Sequence, residues 1–314
     1  MALMEIKGIE QKFRTGFWMT HVKVLHDVNL VVPEKSIFGF LGANGAGKTT
    51  LINLIVGLRR PTAGEIRIRG DLSSTSAARA RMGYLPERPY FYEHLTGEQF
   101  LSYFGTLSGM TRRSVRARIP VALSRVGMSA ARKIELRKYS KGMLQRIGIA
   151  QAILHEPEFL VLDEPMSGLD PIGRKEMREL IIGLAQEGKT IFFSTHVIPD
   201  VEAICDQVAL IQKGKIKGCG PIKGFLSQGE EETEIVFSGK SKAEISALGL
   251  FSEIREIPDG LKVQIASKNV NKAISKLVEM NASLLWVNPI RPSLESYFET
   301  AEERNVEQVV NGTS

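Results

Sequence analysis

The sequence predicts an α/β fold on three observations. Short apolar runs rich in β-branched residues alternate with stretches of helical periodicity. A glycine-rich loop sits between one such run and an amphipathic segment. The composition, 43% hydrophobic and 24% charged over 314 residues, suits a globular chain that buries a sizeable core without disulfide staples. The length suits about two domains.

The elements follow in order. Ser36–Leu41 is a short apolar strand, and Lys48–Leu58 places Leu51, Ile52, Leu54, Ile55 and Leu58 at helical spacing. Glu65–Arg69 reads as a strand ending in a Gly70-Asp71 turn. Arg88–Arg137 is mostly helical, polar and rich in Arg, like an inserted lobe. Ser140–His155 is a helix stopped by Pro157, and Phe159–Leu162 is a buried strand. Pro171–Gln186 is a helix with Pro at its start and Gly188 past its end, the expected punctuation. Thr190–Ser194 is another buried strand, and Val208–Ile211 with Lys215–Lys217 forms a hairpin.

The acidic run Glu230-Glu231-Glu232 within Ser227–Glu234 marks a linker. Beyond it, strands at Glu234–Phe237, Glu253–Ile257, Leu261–Ala266 and Ser283–Asn288 alternate with helices at Lys242–Leu248 and Asn269–Met280. This β-α-β-β-α-β order predicts a small ferredoxin-like unit. A last helix is expected over Ser293–Glu303.

Several function classes drop out early. Cys205 and Cys219 make neither a disulfide framework nor a zinc site. The longest stretch without Asp, Glu, Lys or Arg, Gln99–Thr111, is too short and too polar for a membrane span. The first residues lack the apolar core of a signal peptide, so a chain made and kept inside the cell is expected. The net charge of +6 reads as a solvated surface, with the densest basic stretch at Thr111–Arg118.

Two motifs carry chemistry. Gly42-Ala43-Asn44-Gly45-Ala46-Gly47-Lys48-Thr49 fits G-x-x-x-x-G-K-[ST], lies between strand and helix, and is followed by Thr50. Its glycines let backbone N–H groups close on phosphate oxygens at a helix N-terminus. Lys48 reaches the phosphates and Thr49 can ligate Mg²⁺. The second motif, 115 residues beyond Lys48, is Phe159-Leu160-Val161-Leu162-Asp163-Glu164. A buried strand ending in Asp holds Mg²⁺ through its water shell. Glu164 is placed to act as a general base on water.

With these motifs in order, the chain resembles the ATPase subunit of ABC transporters over about Met4–Leu226. The resemblance implies a P-loop NTPase core with an antiparallel β subdomain and a helical lobe near 88–145. The ATPase domain then spans 1–226, with an accessory α+β domain at 227–314. It makes Asp163–Asp170 the Walker B strand running into the D-loop, and His196, after Ser194-Thr195, the switch histidine on the γ-phosphate. The other four histidines are expected in core or surface roles.

Tyr139-Ser140-Lys141-Gly142-Met143 stands where the family has L-S-G-G-Q. Ser140 and Gly142 match, while Tyr139, Lys141 and Met143 depart. Ser140 reads either as a plain helix cap or as part of a second anion site. In the family this segment meets the partner's nucleotide in trans, so a homodimer, or pairing with a similar subunit, is implied. Glu87 replaces the usual Gln beside the metal; it either joins the Mg²⁺ site with a compensating cation or sits on the surface. Adenine stacks on an upstream aromatic. Phe13 is the natural match, with Phe17 or Trp18 as alternatives because Arg14–His21 reads as an insertion.

The tail Arg291-Pro292-Ser293-Leu294-Glu295-Ser296-Tyr297-Phe298 resembles the P-S-L-E-x-x-F ending of exporter ATPases for drugs, polysaccharides and lipids. The resemblance therefore implies ATP and Mg²⁺, a separate transmembrane permease, and a peripheral place at the cytoplasmic face of the cell membrane. Nucleic acid is not expected. A soluble relative acting in DNA repair or translation is the alternative, but such chains usually carry long coiled coils, zinc cysteines or two ATPase copies. A catalytically silent module is disfavoured by the intact Glu164 and His196.

Overall fold

The computed structural model describes residues 1–15, 20–226, 232–290 and 294. The chain divides into two compact units, Met1–Pro221 and Ile222–Ser314. The division falls just before the expected 226/227 boundary, with the short helix Ile222–Leu226 sorting with the second unit.

The first unit opens with β1 (Ala2–Thr15) and β2 (Thr20–Pro33), an antiparallel hairpin. Next come β3 (Ile37–Leu41), α1 (Lys48–Ile55), β4 (Ala63–Ile68), β5 (Asp71–Leu72), α2 (Ser76–Ala80) and β6 (Met82–Leu85). The lobe holds α3 (Gly97–Leu107) and α4 (Arg112–Arg125), and α5 (Lys141–Ile153) leads back to the sheet. The rest is β7 (Phe159–Asp163), α6 (Pro171–Gln186), β8 (Thr190–Thr195), α7 (Ile198–Ile204), β9 (Gln207–Gln212) and β10 (Lys215–Pro221).

Two sheets result. The first is antiparallel in the order β2-β1-β4-β5. The second runs β10-β9-β3-β8-β7-β6 and is parallel except for β10. One apolar core joins them: Ile6, Ile9 and Val28 of the first sheet and Leu51, Ile52 and Ile55 of α1 pack with Phe38, Phe40 and Phe192 of the second. Burying both faces of β3, β7 and β8 explains why these strands read as unbroken apolar runs.

The β1–β2 hairpin has no counterpart among the sequence-derived elements. Register shifts break β1 between Ala2 and Met4 and three more times before Lys12, and each shift disrupts the alternation by which a half-buried strand is recognised. Of the suspected insertion at 14–21, the described ends pair in this hairpin, Arg14 opposite His21 and Thr15 opposite Thr20.

The second unit carries α8 (Ile222–Leu226), β11 (Glu232–Ser238), α9 (Lys242–Ser246), β12 (Glu253–Ile257), β13 (Gly260–Ala266), α10 (Val270–Glu279) and β14 (Ser283–Ile290). Its antiparallel sheet runs β12-β13-β11-β14, the ferredoxin-like order. Ile235, Phe237, Val263 and Ile265 on one face pack with Ile245, Ala273 and Leu277 of the helices. The expected helix over Ser293–Glu303 lies outside the described residues, Leu294 apart. No helix among the described residues is long and apolar enough to cross a membrane.

The lobe is tied to the sheet by one carboxylate. Glu156, just past α5, accepts from Arg118 at 2.7 Å and Arg125 at 2.6 Å, both on α4. It also accepts from Lys189, buried at the start of β8, at 3.3 Å. Burial alone would raise the Glu156 pKa, but the Arg125 hydrogen bond and the Lys189 and Arg125 charges outweigh it and hold it below the usual 4.5. A carboxyl depressed in the folded state stabilises above its unfolded pKa and loses that contribution as pH falls through the folded value. Glu156→Gln is thus less stable than wild type at neutral pH in urea unfolding, and the gap closes as pH drops below about 4.5. A gap that does not change with pH would remove this network as its source.

Candidate active site

Three neighbouring strands deliver the site. β3, β8 and β7 lie side by side and parallel, so the loops leaving their C-terminal ends share one edge of the sheet. β3 runs into the glycine-rich loop, β7 ends in Asp163 and Glu164, and β8 is followed by His196.

The loop is shaped by packing as much as by conformation. A Cβ at Gly42 would fall 2.5 Å from the Ile211 carbonyl oxygen of β9. Gly47, at the α1 N-terminus, has φ +109°, which side-chain-bearing residues rarely adopt, and a Cβ there would fall 2.9 Å from Leu25. The loop thereby folds around the Lys48 head. Its Nζ donates to the Gly42 carbonyl at 2.7 Å and the Ala43 carbonyl at 3.3 Å, and lies 3.1 Å from Glu164 Oε1. Both side chains are buried.

Ser194 holds the carboxylates. Its Oγ donates to Asp163 Oδ1 at 2.6 Å and accepts from the Glu164 backbone N–H at 2.9 Å. Glu164 sits at φ +50°, a left-handed conformation that a non-glycine residue keeps only when its surroundings enforce it. Its other carboxylate oxygen, Oε2, lies 3.0 Å from His196 Nδ1. Burial pushes the Asp163 carboxyl above its ordinary pKa; the Ser194 and Thr49 hydroxyls pull it back, and the Glu87 and Glu164 charges add to the rise. Asp163 Oδ2 is buried with no hydrogen-bond partner.

These groups face a cavity of about 390 Å³. It is lined by Asn44, Gly45, Gly47, Lys48, Thr49 and Thr50 of the loop and α1, by Glu87, Glu164, Ser167 and His196, and by Val24 of β2. Gly42, Ala43 and Ala46 frame the loop without lining it. Phe13 does not line it either; the Arg59 guanidinium lies 5.2 Å from its ring centroid. Phe17 and Trp18 lie outside the described residues. Glu87 is therefore in the site. Its carboxylate also lies 3.8 Å from Arg88, and a second cavity of about 310 Å³ places it with Arg88, Lys141 and Ser167.

The signature segment stands apart from the first cavity. Ser140 caps α5, its Oγ accepting from the Met143 N–H at 3.3 Å. Lys141 reaches across to Gly168, while Gly142 and Met143 complete the first turn. Asp170 caps α6 by accepting from the Gly173 N–H at 2.9 Å.

The sequence was compared with known proteins. A family model described as ABC transporter matches residues 25–167. An uncharacterized ABC transporter ATP-binding protein of Synechocystis sp. is 39% identical over 94% of this chain and 83% of its own length.

The chain belongs to the ABC transporter ATP-binding proteins.

A bacitracin transport ATP-binding protein of Bacillus licheniformis is 36% identical over 88% of this chain and 91% of its own length. Among solved structures, an ATP-binding subunit of an ABC transporter matches at 31% identity with TM-score 0.62, over 72% of this chain and 92% of that one. A dimeric bacterial ABC transporter cassette shares the fold at TM-score 0.64 and 22% identity, over 71% of this chain and all of that one. As a member of this ABC family, the chain is an ATP-binding and ATP-hydrolysing subunit of a transporter.

Three contributors to the site carry no role in the sequence reading: Ser194, Val24 and Ser167. Ser194 had a signal, a hydroxyl closing the otherwise apolar run Ile191-Phe192-Phe193. Ser167 lies within the Asp163–Asp170 segment, where nothing gave it a role of its own, and Val24 had no signal, because the fold alone brings it to the cavity. Ser194→Ala leaves the Glu164 N–H and Asp163 Oδ1 buried without this partner. It should cost about 1–3 kcal/mol in denaturant unfolding and lower ATP turnover. Unchanged stability and turnover together would remove Ser194 as the positioning group.

Proposed function

We propose that this chain powers a membrane exporter, and that the buried line Lys48–Glu164–His196 at the phosphate loop is its catalytic centre. The observation carrying the reading is that one carboxylate touches both the phosphate-binding cation and the switch histidine. The loop N–H groups, Lys48, Thr49 and Thr50 take the phosphates of ATP. When they do, Lys48 exchanges Glu164 for phosphate oxygens, and Glu164 is released to accept a proton from the attacking water. His196, held through Nδ1, positions the γ-phosphate.

The residues fit Mg²⁺. Asp163 Oδ2 is an orphaned buried acceptor, with Thr49 and Glu87 close enough to shift the Asp163 pKa. Among the described residues no cluster of three His, Cys, Asp or Glu could hold a metal alone. That suits a cation that takes most of its ligands from phosphate and water. Bound there, Mg²⁺ neutralises phosphate charge.

The first unit is read as the ATPase domain and the second as an accessory domain. One phosphate loop and one signature per chain call for a closed two-fold pair, formed with a second copy or a similar subunit. In it Ser140, Lys141, Gly142 and Met143 meet the partner's nucleotide, and Asp170 lies in the D-loop between them. Binding of two ATP closes the pair and hydrolysis reopens it. The transport names of the relatives support a separate transmembrane permease that receives this motion at the cytoplasmic face of the membrane.

Glu164→Gln separates the steps. The variant should bind ATP and dimerise in light scattering, yet turn over about 10²–10⁴-fold more slowly. Undiminished hydrolysis would remove Glu164 as the base. Lys48→Ala, by contrast, should lose nucleotide binding itself.

A further inference from the structure

One stretch of the lobe has an unbalanced charge that the ATPase reading does not use. Between Glu98 and Glu135 there is no Asp or Glu, while Arg112, Arg113, Arg116, Arg118, Arg125, Arg132 and Lys133 all fall there. The structure sorts these cations into two groups. Arg118 and Arg125 share Glu156, Arg125 also pairs with Glu187 at 3.1 Å, and Arg132 pairs with Glu98 at 2.8 Å. Arg112, Arg113 and Arg116 are exposed on the first two turns of α4, where no ion pair with another described residue holds them.

The same tip exposes apolar surface. Tyr103 and Leu107 lie one turn apart on α3, so they share a face, and they are 43% and 65% exposed. The turn that joins them to the arginines is built to be tight. A Cβ at Gly105 would fall 2.8 Å from Val115 Cγ2, so glycine there lets α3 and α4 close up. The Met110 N–H donates back to the Gly105 carbonyl at 3.1 Å, and Thr111 caps α4 through its hydroxyl. The exposed Leu107, the part-exposed ring of Tyr103, which packs edge-on to Tyr92, and three guanidiniums without an ion pair among the described residues therefore sit at one tight helix–turn–helix corner.

We propose that this corner docks on an anionic lipid surface. The arginines take headgroup phosphates, which match the guanidinium fork, while Leu107 and Tyr103 enter the headgroup–acyl boundary. Charge complementarity selects an anionic partner. The exposed leucine selects lipid over nucleic acid, because a phosphate backbone gives a bare aliphatic side chain nothing to bury against. None of these residues lies in the nucleotide cavity, so the surface is independent of the ATPase reading.

The test is flotation of the full chain with phosphatidylcholine vesicles, with and without phosphatidylglycerol, over a salt series. Wild type should partition onto the phosphatidylglycerol vesicles and come off with rising salt. Arg112→Gln/Arg113→Gln/Arg116→Gln should partition about a hundredfold less. The triple Lys variant should retain binding, and Leu107→Ser should weaken it at low and high salt alike. ATP turnover of the triple Gln variant should stay at the wild-type level, which also shows that it is folded. Equal binding to neutral vesicles, or wild-type partitioning of the triple Gln variant, overturns the proposal. So does retention on single-stranded RNA at physiological salt in place of vesicle binding, which would assign the corner to nucleic acid.

Discussion

The first unit is organised around a buried cation that cannot be left alone. Removing an ammonium from water is expensive unless a carboxylate and further hydrogen bonds receive it. Lys48 meets that condition with two loop carbonyls and Glu164. The two carbonyls follow β3 and Glu164 follows β7, so satisfying the cation ties the ends of these two strands together. Ser194 on β8, between them, then locks the two carboxylates by donating to one residue and accepting from the next.

This arrangement makes the resting site self-neutralising. Lys48 and Glu164 compensate each other, while burial raises the Asp163 carboxyl above its ordinary pKa. An arriving polyphosphate brings enough negative charge to compete for the lysine. Separating the buried pair costs free energy that an incoming anion must offset, and the proposed transfer of Lys48 from Glu164 to phosphate depends on that balance.

Much of this was legible in the sequence, for identifiable reasons. Strands β3, β7 and β8 announce themselves because both faces are buried, and their ends carry the chemistry. The ferredoxin-like order of the second unit is readable because its strands alternate cleanly, as in Leu261, Val263 and Ile265. The β1–β2 hairpin is hidden by its register shifts. Val24 is hidden with it, since a valine in an unrecognised strand gives no hint that it walls a cavity. The arginines of α4 show the opposite limit: their composition is plain, but only the structure separates those that reach Glu156 from those without an ion pair among the described residues.

The first glycine of the phosphate loop bears on how such sequences are read. Gly42 is required because the Ile211 carbonyl of β9 occupies the space a side chain would need. That demand belongs to the sheet and persists with no nucleotide bound. A relative that had ceased to hydrolyse ATP but kept this fold would still be held to glycine there. The opening of the motif is therefore a fossil of architecture as much as a sign of activity. His196, whose side chain is part-exposed and has no comparable packing duty, is freer to change, whereas Glu164 is still needed by the buried Lys48.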